Sequence, residues 1–206
     1  MSLRAGILAA AGAIEAARDE LCRLDAAAGD GDHGVTMALA ARAVRKALDD
    51  SPDAAGADLL TKVAMALGSV GGASGPIYSS ATLAVAAKMR AGEREPVVLA
   101  EAAESAIAKL GGAKPGDKTI LDALHPAVEA LRAGGDVRAA ASAAREGAEA
   151  TAQMVATVGR AGRLGERSRG LADPGATSLA IILEALVHAA AAGDDEQLAG
   201  DERGLA

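Results

Sequence analysis

Apolar residues recur at three- and four-residue intervals along most of this chain, the spacing that lines one face of an α-helix, and clusters of Gly, Pro and Asp interrupt it. The pattern predicts helices over 3–22, 34–48, 56–68, 75–90, 97–110, 119–132, 136–154 and 175–192, eight in all, with no convincing strand. Several boundaries have local causes. Ser51-Pro52-Asp53 stops the second helix, Pro96 stands just ahead of the fifth, and Gly134-Gly135-Asp136 joins a glycine stop to an N-cap for the seventh. No internal repeat or linker divides the pattern, so residues 1–192 read as one all-α domain, an up-and-down bundle. Residues 193–206, "GDDEQLAGDERGLA", have too few apolar positions to bury and read as a charged tail.

With 206 residues, half of them apolar, the chain can bury one sizeable core. Tyr78 is its single aromatic residue, so that core must be small aliphatic side chains packed closely between helices. A net charge of −7 and the lack of any Lys/Arg run with interleaved aromatics exclude a nucleic-acid binder. No stretch approaches eighteen uninterrupted apolar residues, so no membrane span is expected. Met1-Ser2-Leu3-Arg4 leads into an alanine-rich amphipathic stretch rather than a secretion signal, and the chain reads as cytoplasmic. Cys22, the only cysteine, excludes an internal disulfide and a thiolate cluster and reads as a small buried hydrophobe.

Four inter-helix segments are richer in Gly, Asp and Arg than simple turning requires: 25–36, 71–76 ("GGASGP"), 111–119 ("GGAKPGDKT") and 159–177. They follow the first, third, fifth and seventh helices, and in an up-and-down arrangement connections after every second helix share one end. Counting thus gathers four scattered segments into one candidate site.

In the first segment Asp25, Asp30 and Asp32 are spaced i, i+5 and i+7, too far apart for one helical face, but a loop carrying Gly29, Gly31 and Gly34 can bring them together. Converging carboxylates suit Mg²⁺, which takes the rest of its shell from water and substrate phosphates. The spacing is not that of a calcium-binding EF-hand loop. "GGASGP" and "DPGATS" (173–178) put small residues at helix starts, where free amides bind phosphate. Arg160, Arg163, Arg167 and Arg169 form the one dense basic cluster, suited to phosphate or to an acidic partner. Metal-binding carboxylates, helix starts and arginines at one end suggest a nucleoside di- or triphosphate held for phosphoryl transfer, without the Walker A loop or the kinase Gly-rich strand.

"GDGDHG" with the preceding Asp25, "GGASGP", the "PGDKT" stretch at 115–126 and "GRAGRLGERSRGLADPGATS" at 159–178, in that order, resemble the nucleotide-binding L subunit of dihydroxyacetone kinases, the Dak2-type domain. The resemblance implies an eight-helix barrel with ADP or ATP and two Mg²⁺ at one end. It implies metal ligation by Asp25, Asp30 and Asp32. It implies nucleotide contacts from His33, Gly34, Val35, Thr36, Ala73, Ser74, Gly116, Thr119, Arg160, Asp173, Pro174 and Gly175, with Arg160 supporting transfer and no certain catalytic residue in this chain. The ketose, dihydroxyacetone or a tetrulose, is held in such kinases by a separate K subunit or domain; a phosphotransferase-system phosphocarrier and a homodimer stay open as partners. Thr36 leans toward free ATP rather than a phosphoprotein as donor. The alternative function is a nucleotide-sensing module that docks a transcriptional regulator, and a third class, a ligand-free bundle, leaves the loops unexplained.

His33 reads as a hydrogen-bonding partner of phosphate or of a carboxylate, because neutral imidazole is a poor Mg²⁺ ligand. His125 and His188 read as structural. Lys118 is the lysine expected to face the site, with Asp122, one turn on, pairing with it.

Overall fold

The computed structural model describes residues 2–27 and 29–203, with side chains as far as residue 192. Among the described residues there is no strand. The first predicted helix is two: α1 (Leu3–Ala16), capped by the Ser2 hydroxyl, and α2 (Arg18–Ala26), separated where ψ of Ala17 opens to 2°. Hydrogen bonds from Ala17 N to Ala13 O and from Leu21 N to Ala17 O carry the ladder across this joint. Then come α3 (His33–Asp49), α4 (Gly56–Gly68), α5 (Ser74–Arg90) and α6 (Pro96–Gly111), the last opened by its proline and closed by Gly112 in the left-handed region. Next are α7 (Leu121–Arg132) and α8 (Val137–Ala150), the second capped by the Asp136 carboxylate on the amides of Arg138 and Ala139. The seventh predicted helix thus ends early. After it, 151–173 holds two short 3-10 turns and the four-residue α9 (Gly159–Gly162) before α10 begins at Pro174.

α10 runs as helix to Arg203, past the predicted end at 192, and the side chains of the expected tail 193–206 lie outside the described residues. Its stretch Pro174–Ala192 is long and apolar enough to cross a membrane by composition, although Glu184 and His188 keep it from being an uninterrupted apolar run. Here that stretch is a stave of the fold: it packs on α1, α7 and α8, and Glu184 accepts hydrogen bonds of 2.8 and 2.5 Å from the Arg145 guanidinium.

Each long helix packs on the next, α3 on α1 and α2, then α4, α5, α6, α7, α8 and α10 in turn, and α10 returns to α1. The ring is a closed barrel of eight staves, with α1 and α2 forming one. Its core is aliphatic and small: Ala11, Ile14, Met37, Ala41, Leu121, Leu124, Val128, Ala144 and Leu179 are buried together with Tyr78. Alanine allows close approach, and glycine closer still. Pro126 inside α7 has no N–H to offer the Asp122 carbonyl one turn back. Gly147 of α8 lies against that carbonyl and the Pro126 ring, where any Cβ would collide with both.

Candidate functional site

The acidic segment is built on the joint between α2 and α3. Asp25, buried in the last turn of α2, turns its Oδ2 onto the Asp32 amide (2.9 Å) and the His33 amide (3.2 Å). Asp32 stands at the N-cap position of α3 but makes no cap bond, so Asp25 caps the helix from a distance. Gly34 makes the crossing feasible: a Cβ there would run into the Arg18 carbonyl and come within 2.8 Å of Cys22 Sγ. Cys22 is therefore only part-buried, at the crossing rather than in the core.

Asp30 and Asp32 are about half exposed, and one carboxylate oxygen from each of Asp25, Asp30 and Asp32 lies within 4.8 Å of the others. Arg160 of α9 reaches across to pair with Asp30 and, at 3.7 Å, with Asp32. Desolvation works against the charge on Asp30, but the Arg160 guanidinium and the hydrogen bond with Asp32 hold its carboxyl below the usual range. Asp32 is pushed the other way, by desolvation and by the neighbouring Asp30. Three oxygen donors this close, two of them in solvent and repelling one another, fit a hard divalent cation.

Behind the carboxylates lies a buried hydroxyl network. His33 Nε2 is 3.1 Å from Ser178 Oγ, which is fully buried, and His33 Nδ1 is 3.3 Å from Ser74 Oγ. Ser178 donates to the Gly175 carbonyl (3.0 Å), and the Tyr78 hydroxyl stands 2.9 Å from Ser178 Oγ. With the Ser178 proton on Gly175, both Tyr78 O–H and His33 Nε2–H must donate to Ser178 Oγ, which leaves Nδ1 to accept from Ser74. Burial lowers the His33 pKa against the pull of Asp25, in keeping with a neutral ring, and burial raises that of Tyr78. Asp173 caps α10 through the Ala176 amide (2.7 Å), its own amide is held by Thr151 Oγ1 (2.7 Å), and burial pushes its carboxyl up to about 6.

The 111–119 segment differs from expectation. Asp122 does not pair with Lys118: its carboxylate accepts from the amides of Gly116 (2.5 Å) and Thr119 (2.7 Å), folding the turn onto the start of α7. Lys118 lines the cleft as expected, but its ammonium donates to backbone carbonyls of the 151–171 segment, which satisfy a buried cation. His125 pairs with Glu104 (2.7 Å) and His188 with its own helix (2.9 Å), both structural as read from the sequence.

One cleft, about 770 Å³ counted to its solvent mouth, is lined from all four predicted segments by Asp25, His33, Ser74, Lys118, Thr119, Arg160 and the Asp173-Pro174-Gly175 turn. Ile77, Tyr78, Ile120 and Val158, which the sequence does not mark as site residues, supply apolar wall. Of the other predicted residues, Gly34 is packed into the α2–α3 crossing, Thr36 faces Gly72, Val35 is partly exposed, Ala73 stands just before α5, and the Gly116 amide is taken by Asp122. Three long helices, α3, α5 and α10, begin at this cleft.

Known proteins resemble the chain along most of its length. It is 42% identical over 181 residues to an L-erythrulose 1-kinase of Mycolicibacterium smegmatis, covering 81% of this chain but 32% of that protein. It is 40% identical over 191 residues to a PEP-dependent dihydroxyacetone kinase 2 ADP-binding subunit DhaL of Listeria innocua, covering 85% of this chain and 88% of that one. The chain thus spans about a third of the length of the erythrulose kinase and most of the subunit. The crystal structure of the dihydroxyacetone kinase of C. freundii with AMP-PNP and Mg²⁺ superposes with a TM-score of 0.71 at 32% identity, over 89% of this chain and 33% of that one. The family described as the DAK2 domain matches residues 27–188, the span from the acidic segment to the last stave of the barrel, and the chain belongs to that family.

Proposed function

We propose that this chain is the nucleotide-holding subunit of a kinase for short ketoses. It binds Mg²⁺ with ATP or ADP in the cleft and passes phosphoryl to dihydroxyacetone or a tetrulose on a separate ketose-binding K subunit. The observation that carries this reading is the meeting of three helix starts, three carboxylates and one arginine around a single cleft. The start of α5 has no side-chain cap, and free amides there favour phosphate oxygens, while α3 and α10 are capped by Asp25 and Asp173; an arginine fork matches phosphate in shape and charge. Asp25, Asp30 and Asp32 would hold the metal, as two ions by the family resemblance. Bound there, Mg²⁺ would neutralise polyphosphate charge.

The chain's own groups divide the rest of the work. Ser74 and His33 form one side of the cleft through a network that engages both ring nitrogens, so a phosphate oxygen would take the Ser74 proton only by releasing Nδ1, and Arg160 supplies positive charge beside the carboxylates. Ile77, Ile120, Val158 and Pro174 offer the base an apolar wall. Gly34, Val35, Thr36, Ala73, Gly116, Thr119, Asp173 and Gly175 complete the nucleotide side, with Thr36 supporting free ATP as donor. Among the described residues the cleft holds one histidine, His33, clamped between two serines, and we assign removal of the ketose proton to the partner that holds the ketose. The Listeria relative, an ADP-binding subunit, and the Mycolicibacterium relative, an erythrulose kinase, support the two halves of this proposal.

The test is thermal unfolding with ADP. Ligand at one hundred times its dissociation constant stabilises by about 2.7 kcal/mol, and the rise should require Mg²⁺. An equal rise in EDTA would remove the metal from the reading, and no rise in either condition would remove the nucleotide.

A further inference from the structure

Lys118 is 4% exposed, and among the described residues it is the one non-glycine with positive φ, at 61°. Its ammonium donates to Leu171 O (2.9 Å), to Met154 O (3.3 Å) and to Ser168 O. Three protons thus meet three carbonyls, with the Asp173 charge favouring the ammonium and Arg169 opposing it. The acceptors belong to one segment and bracket it: Met154 precedes Arg160, while Ser168 and Leu171 follow it and lead into the Asp173-Pro174-Gly175 turn. Beside Lys118, Asp117 Oδ1 accepts from Thr157 Oγ1 (2.6 Å) and the Asp117 carbonyl from the Thr157 amide (3.3 Å).

The segment needs such a tether. Between the end of α8 and the start of α10 its regular structure amounts to two 3-10 turns and one four-residue helix, and Arg160 on that helix is about half exposed. A solvated lysine in a glycine-rich turn would adopt neither positive φ nor this burial, both of which are unfavourable unless the contacts made in return are strong. Hydrogen bonds from a charged donor to neutral carbonyls inside the protein are of that kind.

We propose that Lys118 is a positioning residue for the nucleotide site: an internal cation that holds the 154–171 segment closed, and through it Arg160 and the start of α10, without itself touching the nucleotide. The nucleotide half of this statement rests on the function proposed above; the tether itself does not.

Two variants separate the ammonium from the backbone it sits on. Lys118→Met keeps the stem and removes the charge. Lys118→Gly relieves the positive φ and leaves a cavity that propylammonium can enter. In the ligand-free protein, trypsin cleavage at Arg160, Arg163, Arg167 and Arg169, mapped by mass spectrometry, should accelerate at least about tenfold in both variants, the size of losing one hydrogen bond to a charged group. Cleavage on the barrel staves should not change. Mg²⁺–ADP affinity by calorimetry should fall by a similar factor, and propylammonium should restore protection and affinity to Lys118→Gly but not to Lys118→Met.

Unchanged cleavage in both variants overturns the tether. Lost affinity with the segment still protected overturns it too, because Lys118 would then be a phosphate contact. Whole-chain unfolding of both variants without amine rescue would make it a core residue instead. If the unaltered protein binds no Mg²⁺–ADP, the functional reading fails while the cleavage experiment still decides on the tether.

Discussion

Replacing the three aspartates by alanine, one at a time, should separate two roles that their spacing disguises. Asp25 is buried, and its Oδ2 accepts from two amides at the start of α3. A hydrogen bond to a charged group contributes about 1.5–3 kcal/mol, and a carboxylate at a helix start adds roughly 0.3–1. Both bonds share one oxygen, so they do not add in full, and Asp25→Ala should cost about 3 kcal/mol of stability without any ligand. In a chain of this length that lowers Tm by roughly 6–12 °C. Asp25→Asn keeps an acceptor and should fall between. Asp30 and Asp32 are 54% and 55% exposed and share the one arginine. Their alanine variants should stay within about 0.5 kcal/mol of the parent, since exposed ion pairs contribute little. Melting in EDTA, without nucleotide, reads this difference directly. If all three variants melt together, or if Asp25→Ala melts with the parent, the distant cap has no energetic meaning.

Two further outcomes follow from the same corner. Gly34→Ala puts a methyl group against the Arg18 carbonyl and Cys22 Sγ; forcing α2 and α3 apart should cost about 3 kcal/mol in urea unfolding, and a parent-like midpoint would show that the crossing is loose. Asp173→Asn keeps the cap on the Ala176 amide but removes a carboxyl whose pKa is pushed up to about 6 from 3.8. In the parent, protonation of this group favours the fold fully below its unfolded value, and that advantage is lost as pH rises through about 6. The variant should therefore melt above the parent at pH 7–8, with the gap shrinking as pH falls toward 4, and a gap independent of pH would refute the burial argument.

The staves of the barrel were legible because their signals are local. Pro96, Asp136 and the apolar period act within a turn of their own positions, and the helices they predict are present. The gathering of four segments at one end also followed from counting alone. The joint at Ala17 was not legible, since nothing in an alanine run marks where ψ opens. The partners of Lys118 are illegible for a deeper reason. Its acceptors are main-chain carbonyls 36 to 53 residues away, and a carbonyl leaves no trace in residue type. The network role of Ser178 and Tyr78 leaves no mark in the sequence, because each resembles a core position until Ser178 is placed between Tyr78 and His33. A lone tyrosine in a chain otherwise without aromatics was the available hint.

The return of α10 to α1 bears on the order in which the molecule assembles. Each stave from α3 to α8 can dock on its predecessor through a short connection, a low-cost sequence of local steps. Closure alone joins the two ends, and the cleft lies on that seam: Asp30 meets Arg160 across 130 residues and His33 meets Ser178 across 145. The cleft therefore cannot exist in a half-made barrel. A ligand that touches both sides of the seam works as a clasp, opposing the opening of the ring rather than the fraying of any one helix.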